Sequence, residues 1–453
     1  MLPVLTPQEM GAVDAAAPEP TDVLIGRAAA AVARHAVDLL GGRYGRRVLV
    51  LAGKGNNGND GREAARRLAR RGVRVSVIAA TDAPERLPPS DLVIDAAYGT
   101  GFRGEYEPPD VGDTPVLAVD IPSGVDGLTG AVRGRVLPAR RTVTFAALKP
   151  GLLFHPGRAR AGEVVLEDIG IDVSGAQVGV VEAADVAGWL PPRPPDSHKW
   201  RAAVVIAAGS PGMTGAAHLA AEAAQRAGAG MVRVASPGID YDPALPTEAV
   251  GVGVPAAGWD DAVTSQLDRA GALVLGPGLG RSAPTVTAIH HLASAAPVPL
   301  LVDGDGLTAL GEQAGEILSR RTAPVVLTPH DGEYARLAGH PPGEDRLAAA
   351  RELAEATGAV VLLKGPTTVV AEPGGRVRLS TSGDARLATA GTGDVLSGIV
   401  GALLAQGVPA ADAAAAGAWL HGSAACEGPR RGMVASDVIA GLPPVLARLG
   451  EET

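Results

Sequence analysis

A single cysteine in 453 residues, Cys426, excludes an intrachain disulfide and fits a reducing compartment. In its alanine-rich stretch it is expected to fill core, not to act as a nucleophile. The opening MLPVLTPQEM lacks a basic segment followed by an apolar one, and no apolar run approaches the ~20 residues of a membrane span. Positive charge is not in excess either: the formal net charge of -9 argues against a phosphate-backbone partner. The local cluster Arg66, Arg67, Arg70 and Arg71 reads as a solvated helix face. A soluble, cytoplasmic protein with no membrane or nucleic-acid partner is expected, and no short-period repeat is found.

The length exceeds what one hydrophobic core fills, so two domains are expected, at 1–178 and 179–453. From Arg47, short apolar runs (RVLVLA, VRVSVIA, DLVIDAAYGTG, VLAVDIPSG) alternate with helix-like stretches, which predicts a parallel sheet between helices. GWLPPRPPDSHKW, Gly188 to Trp200, has four prolines within five residues and reads as a stiff connector. Beyond it the alternation restarts, with an alanine-rich helix over 215–229 and a last long helix from Asp394. Both halves are therefore α/β.

The chemistry concentrates in glycine-bearing loops. GKGNNGNDG, Gly53 to Gly61, follows one strand and opens a helix, the setting in which backbone amides hold phosphate. It lacks the Lys-Ser/Thr ending of a Walker A loop and does not complete GxGxxG. Asp95 and Asp120 stand at strand ends before two further loops, DAAYGTGFRGE and DIPSGVDGLTG. Ligands of open α/β sheets bind at that edge.

RVLVLAGKGNNGNDG, DLVIDAAYGTG and VLAVDIPSGVDG, with TPQEMGAVD and TVTFAALKPG, together resemble the YjeF N-terminal family of NAD(P)H-hydrate epimerases. The resemblance implies a Rossmann-like three-layer αβα sandwich. It assigns substrate contacts to Asn56, Asn57, Gly58, Asn59 and Asp60, and to Gly99, Thr100, Gly101, Phe102, Arg103, Gly104 and Glu105. It also implies potassium between Asn57, Asp95 and Ser123, and places Asp120 beside the reacting ring as acid/base. Three residues depart from the family pattern: Asn59 where glycine is usual, on the expectation that asparagine tolerates a positive-φ turn, and Arg140 and Arg141 in place of an Ala-Asp pair.

ATAGTGDVLSG, Ala388 to Gly398, is the sharpest signal. A GxGD at a helix start offers backbone amides to developing negative charge and an aspartate, Asp394, as base at the same point. On GxGD alone, Asp394 as a plain N-cap remains open. With SHKW, AAGSPGMTGAAHLAAEAA, GPGLG, LLVDGDGLT, LTPHDGEYARL and LLKGPTTVV, it resembles the ribokinase-like YjeF C-terminal family of ADP- or ATP-dependent NAD(P)H-hydrate dehydratases. The resemblance assigns Lys364, Gly365, Pro366, Thr367, Thr368 and Gly393 to nucleotide phosphates, and Ala216, Gly278, His330 and Asp394 to the hydrated dinucleotide. Magnesium is implied with the nucleotide. Glu333 reads equally as a magnesium approach or a helix cap, and His330 and Lys364 taken singly read as a loop histidine and a solvated cation. Trp200 and Asp384 depart from the family's Gly and Asn, and Trp200 is expected to narrow the entrance or to pack on the connector.

The reading that unites both halves is a bifunctional repair enzyme acting on NADHX and NADPHX. The first domain interconverts R and S hydrates; the second dehydrates the S form using ADP or ATP. A homo-oligomer is implied by resemblance. Two alternatives stay open on residues alone: a vitamin or sugar kinase fused to a non-catalytic nucleotide-binding domain, and an N-terminal half that binds without catalysis.

Overall fold

The structure, a computed structural model, describes residues 1–451. It divides into two compact units, Leu2–Val178 and a second from Gly179 onward.

In the first unit six strands form one sheet: β1 (Arg47–Ala52), β2 (Arg74–Ala79), β3 (Leu92–Ala96), β4 (Val116–Val119), β5 (Arg141–Phe145) and β6 (Glu163–Glu167). Their spatial order is β2-β1-β3-β4-β5-β6, with parallel pairing throughout. Val48, Val50, Leu92 and Ile94 pack in one cluster with Ala29, Ala33, Ala64 and Leu68, from the helices α2 (Thr21–Leu40) and α3 (Asn56–Arg70). The alternate residues Leu49, Leu51 and Val93 pack on Leu87 and Leu137 on the other face. Both faces are thus apolar, as a parallel sheet requires. A shorter helix, α1 (Pro7–Ala16), precedes them and starts at a Thr6/Glu9 capping box with proline in its first turn.

Register fixes the site. Ala52 pairs with both Ala79 and Ala96, so the loops leaving β1, β2 and β3 begin level with one another. The strand order reverses between β1 and β3, the topological switch at which α/β sheets bind ligands.

In the second unit the strands are β7 (Ala203–Ala207), β8 (Met231–Ala235), β9 (Ala249–Val252), β10 (Ala272–Leu275), β11 (Leu300–Val302), β12 (Val325–Leu327), β13 (Val360–Leu363), β14 (Thr368–Ala371) and β15 (Val377–Ser380). They run in the order β15-β14-β13-β12-β11-β10-β7-β8-β9. Pairing is parallel except where β14 meets β13 and β15. Here the switch lies between β7 and β10. Helix α4 (Thr214–Arg226) follows β7, α5 (Asp331–Ala338) follows β12, and α6 (Thr392–Ala405) crosses α4 closely: a Cβ at Gly398 would lie 2.1 Å from the Ala220 carbonyl oxygen.

Several expectations change in three dimensions. The long helix expected from Asp394 begins at Thr392 and stops at Ala405, because Gly407 takes φ +86 and Pro409 follows. Two further helices complete the unit, α7 (Ala410–Glu427) and α8 (Ala435–Glu451). Cys426, expected in the core, is exposed in the last turn of α7. The proline-rich segment lies inside the second unit, and Trp200 at its end stacks on the Arg233 and Arg269 guanidiniums at 4.8 and 5.5 Å. Trp200 precedes β7, and Arg269 precedes β10, so this cluster sits toward the strand starts, away from the ligand edge. Among the described residues no helix is long and apolar enough to cross a membrane.

Candidate active sites

At the C-terminal edge of the first sheet lies a cavity of 880 Å³, lined from the ends of β1, β2, β3 and β4 and from Lys149 beyond β5. Helix α3 opens inside the glycine-rich loop, at Asn56, so its unpartnered first amides face this space. The fold requires glycine at two points of the loop: a Cβ at Gly53 would meet the Ala97 carbonyl oxygen at 1.8 Å, and one at Gly58 the Gly53 carbonyl oxygen at 2.0 Å. Asn56, Asn57 and Asp60 line the cavity, as do Gly99, Thr100, Gly101 and Phe102; Arg103, Gly104 and Glu105 are exposed outside it. Asn59 is exposed within the helix and is not a positive-φ residue, so the turn expected there is helix instead.

Asp120 ends β4 in the left-handed region, φ +67, which a side chain adopts only at a cost of order 1–3 kcal/mol. Its amide donates to the Val143 carbonyl at 2.7 Å, and its Oδ1 receives the Lys149 ammonium at 2.6 Å and the Thr144 hydroxyl at 3.1 Å. Lys149 is 2% exposed and also donates to Thr144 Oγ1 and to the Phe145 carbonyl. A buried ammonium is therefore committed to holding one carboxylate oxygen, leaving Oδ2 for the cavity.

Beside it, Asp95 is fully buried and accepts from the Ser123 hydroxyl (2.6 Å), the Ser123 amide (2.9 Å) and the Ala97 amide (3.3 Å). Burial raises its pKa, against those hydrogen bonds. Both amide atoms of Asn57 are buried and have no hydrogen-bond partner. A buried carboxylate without a cationic partner among the described residues and an orphaned amide oxygen are oxygen donors of the kind that suit a hard cation.

In the second unit a pocket of 540 Å³ lies at the switch between β7 and β10. Ala216, Gly278, His330 and Asp394 all line it. Gly391 caps α6 at φ +90, where a Cβ would also strike Leu219, and the turn aims the first amides of α6 outward. Asp394, in the first turn, has its pKa raised to about 6 by burial and then by the Asp303 carboxylate, with Lys364 opposing. Lys364 follows β13 and reaches the Asp303 Oδ1 at 2.6 Å, while Asp303 Oδ2 accepts from the Ser397 hydroxyl of α6 at 2.7 Å. A Cβ at Gly393 would lie 3.4 Å from the Lys364 ammonium, so that cation abuts the GTG turn. Gly365, Pro366, Thr367 and Thr368 lead into β14 and do not line this pocket. Glu333 acts as the helix cap: its Oε2 accepts from the His330 amide at 2.9 Å, while His330 Nδ1 accepts from the Gly332 and Glu333 amides.

The pattern of the NAD(P)H-hydrate dehydratase family matches residues 204–440, and that of the YjeF-related protein N-terminus matches 21–88 and 79–151. The chain is 42% identical over 427 residues to the bifunctional NAD(P)H-hydrate repair enzyme of Mycobacterium tuberculosis, covering 87% of each. The chain belongs to the bifunctional NAD(P)H-hydrate repair enzymes. The repair enzyme of Escherichia coli is 36% identical over 444 residues, 88% of this chain and 84% of that one. Among solved structures, the ADP/ATP-dependent NAD(P)H-hydrate dehydratase of Bacillus subtilis, co-crystallised with ATP and Mg2+, is 31% identical, with a TM-score of 0.51 over 59% of this chain and 97% of that one. The second unit thus has the ribokinase-like fold.

For this repair enzyme, sequence reasoning missed Lys149, Asp14, Asp303 and Ser397. Asp303 had a signal, since it stands at a strand end before a glycine-bearing loop, as Asp95 and Asp120 do. Lys149 sat in TVTFAALKPG with nothing to reveal its burial. Arg140 is exposed, and Arg141 starts β5 and pairs with Asp38 and Glu163, so neither departure touches the cavity. Asp384 pairs with Arg386 on the surface.

Proposed function

We propose that the two pockets carry the two halves of one repair reaction, with the following residue roles. The chain is a bifunctional NAD(P)H-hydrate repair enzyme, in which the first unit epimerises the hydrate and the second removes water from the S form at the expense of ADP or ATP. The observation that carries the chemistry is Asp394 in the first turn of α6, beside the Lys364 ammonium and facing the pocket of Ala216, Gly278 and His330.

Hydroxide is a poor leaving group, so the hydroxyl on C6 is first phosphorylated. Asp394 takes the hydroxyl proton, and the oxygen attacks the terminal phosphorus of the nucleotide. The amides of the GTG turn and the Lys364 ammonium meet the charge that gathers on the transferred group. The ring nitrogen lone pair then forms C6=N as the C6–O bond breaks and phosphate leaves with the bonding pair; the phosphate takes the C5 proton, and the C5–H pair forms C5=C6 as the C=N π pair returns to nitrogen. Magnesium bound with the nucleotide would supply positive charge to the phosphate oxygens, and Glu333, which lines this pocket with its Oε1 3.6 Å from His330 Nε2, would approach it. The KGPTT segment, Lys364 to Thr368, with Gly393 would hold the nucleotide, and Ala216, Gly278 and His330 the hydrate.

In the first unit Asp120 handles the proton at C6, and the helix amides at Asn56 and Asn57 receive the dinucleotide phosphates. Asn57, Asp95 and Ser123 would hold potassium, which supplies positive charge close to the substrate. A cytoplasmic enzyme with no nucleic-acid partner suits a soluble cofactor substrate, and a homo-oligomer follows from resemblance alone.

The kinase alternative predicts a stable phosphorylated product. An equal mixture of R and S hydrates given ADP or ATP with magnesium is expected to convert fully to reduced dinucleotide, with one phosphate released per turnover. The near-ultraviolet absorbance of the reduced nicotinamide follows the conversion. Accumulation of a phosphorylated substrate instead would refute the repair reading.

A further inference from the structure

Asp60 is the one acid of the glycine-rich loop, and resemblance assigns it to substrate phosphates. Its surroundings suit a different task. It lies in the first turns of α3, is 8% exposed and lines the 880 Å³ cavity together with Asp120 and Lys149. No hydrogen-bond donor among the described residues reaches its carboxylate. The charged groups around it give it no cation: Arg62, on the same helix, donates to the Gly53 carbonyl at 2.7 Å and to Asn59 Oδ1 at 3.3 Å, and Lys149 is committed to Asp120. Asp14 of α1 adds a further acid to the same lining, and Lys54 stands exposed at the rim. An ionised carboxylate placed so would repel a phosphate, whereas the α3 amides and Lys54 would attract one.

Resting on the epimerase reading of this cavity, we infer that Asp60 is a second catalytic residue, the acid that protonates the departing C6 hydroxyl, and that it works against Asp120 as the base. Burial first, and then the Asp120 and Asp14 charges, push its pKa up to about 8, so that it carries a proton at neutral pH. Two carboxyls in one cavity with different partners, one ion-paired and one bare, are the arrangement that divides acid from base work.

The step balances as follows. The Asp60 carboxyl gives its proton to the C6 hydroxyl oxygen, and the C6–O bond breaks with its electron pair going to oxygen, which departs as water. The ring nitrogen lone pair forms a C6=N double bond. A water then adds to the opposite face of C6, the C=N π pair returns to nitrogen, and the water's proton passes to Asp120. One proton has moved from Asp60 to Asp120, and solvent exchange resets both.

The test is steady-state epimerisation of pure R-hydrate by the full chain and by Asp60→Asn, across pH, with substrate affinity measured separately by titration. The expected result for Asp60→Asn is a kcat lower by ~10²–10⁴-fold with affinity within a few-fold. The wild-type rate is expected to fall as pH rises through about 8, a limb the variant lacks. Because the wild-type limb needs no variant, a folding defect in Asp60→Asn cannot hide the answer. A flat wild-type profile through that pH, an unchanged kcat, or a loss confined to affinity overturns the role and returns Asp60 to phosphate contact or structure. A wild-type chain that cannot epimerise R-hydrate at all would remove the epimerase reading itself.

Discussion

Asp394→Asn is expected to abolish nucleotide-dependent conversion of S-hydrate, lowering kcat by ~10²–10⁴-fold while nucleotide affinity stays within a few-fold. Each tenfold loss is about 1.4 kcal/mol of transition-state stabilisation. The substitution keeps shape and the α6 N-terminus, and it removes only the ability to take a proton. Burial and the neighbouring Asp303 charge raise the Asp394 pKa to about 6. A base works in its ionised form, so the wild-type rate should fall as pH drops through that value, about tenfold per unit below it. The variant should show no such limb. Retained turnover in Asp394→Asn, measured by phosphate release, would contradict the base assignment.

The second large effect is expected from Lys149→Met. The ammonium is 2% exposed and lies 2.6 Å from Asp120 Oδ1. Without it a carboxylate held at φ +67 keeps only the Thr144 hydroxyl on that oxygen. Breaking such a pair costs about 3–5 kcal/mol where both partners are buried, and Asp120 is only partly so, which makes that an upper bound. Epimerisation of R-hydrate should fall by at least ~10²-fold, while the second unit in the same chain continues to dehydrate S-hydrate. In an R/S mixture the absorbance rise would then halt at the S fraction. Complete conversion at the wild-type rate would show that Asp120 does not depend on Lys149.

What the sequence made legible follows from the physics of parallel sheets. Apolar runs buried on both faces mark the strands, and an acid at the end of a run falls at the ligand edge, as Asp95 and Asp120 do, while Asn57 and Asp394 stand out by the glycine-rich turns that open helices. Lys149 and Asp303 pair with residues far away in the chain, Asp120 and Lys364, and a lysine in a sequence looks the same buried or solvated. The turn expected at Asn59, from the glycine usual there in the resembled family, is helix instead, since the helix begins three residues earlier, at Asn56. Trp200, expected to narrow the entrance or to pack on the connector, lies toward the start of β7, away from the ligand edge, against the Arg233 and Arg269 guanidiniums. Cys426, expected in the core from its alanine-rich surroundings, falls in the exposed last turn of α7.

The most direct measurement is a crystal structure of the chain soaked with S-hydrate and a non-transferable nucleotide. The account predicts the terminal phosphate against the amides of Gly391 to Gly393 and beside Lys364, with the C6 hydroxyl in hydrogen-bond reach of Asp394. Both ligands bound with that turn vacant, or the hydroxyl turned away from Asp394, would contradict it.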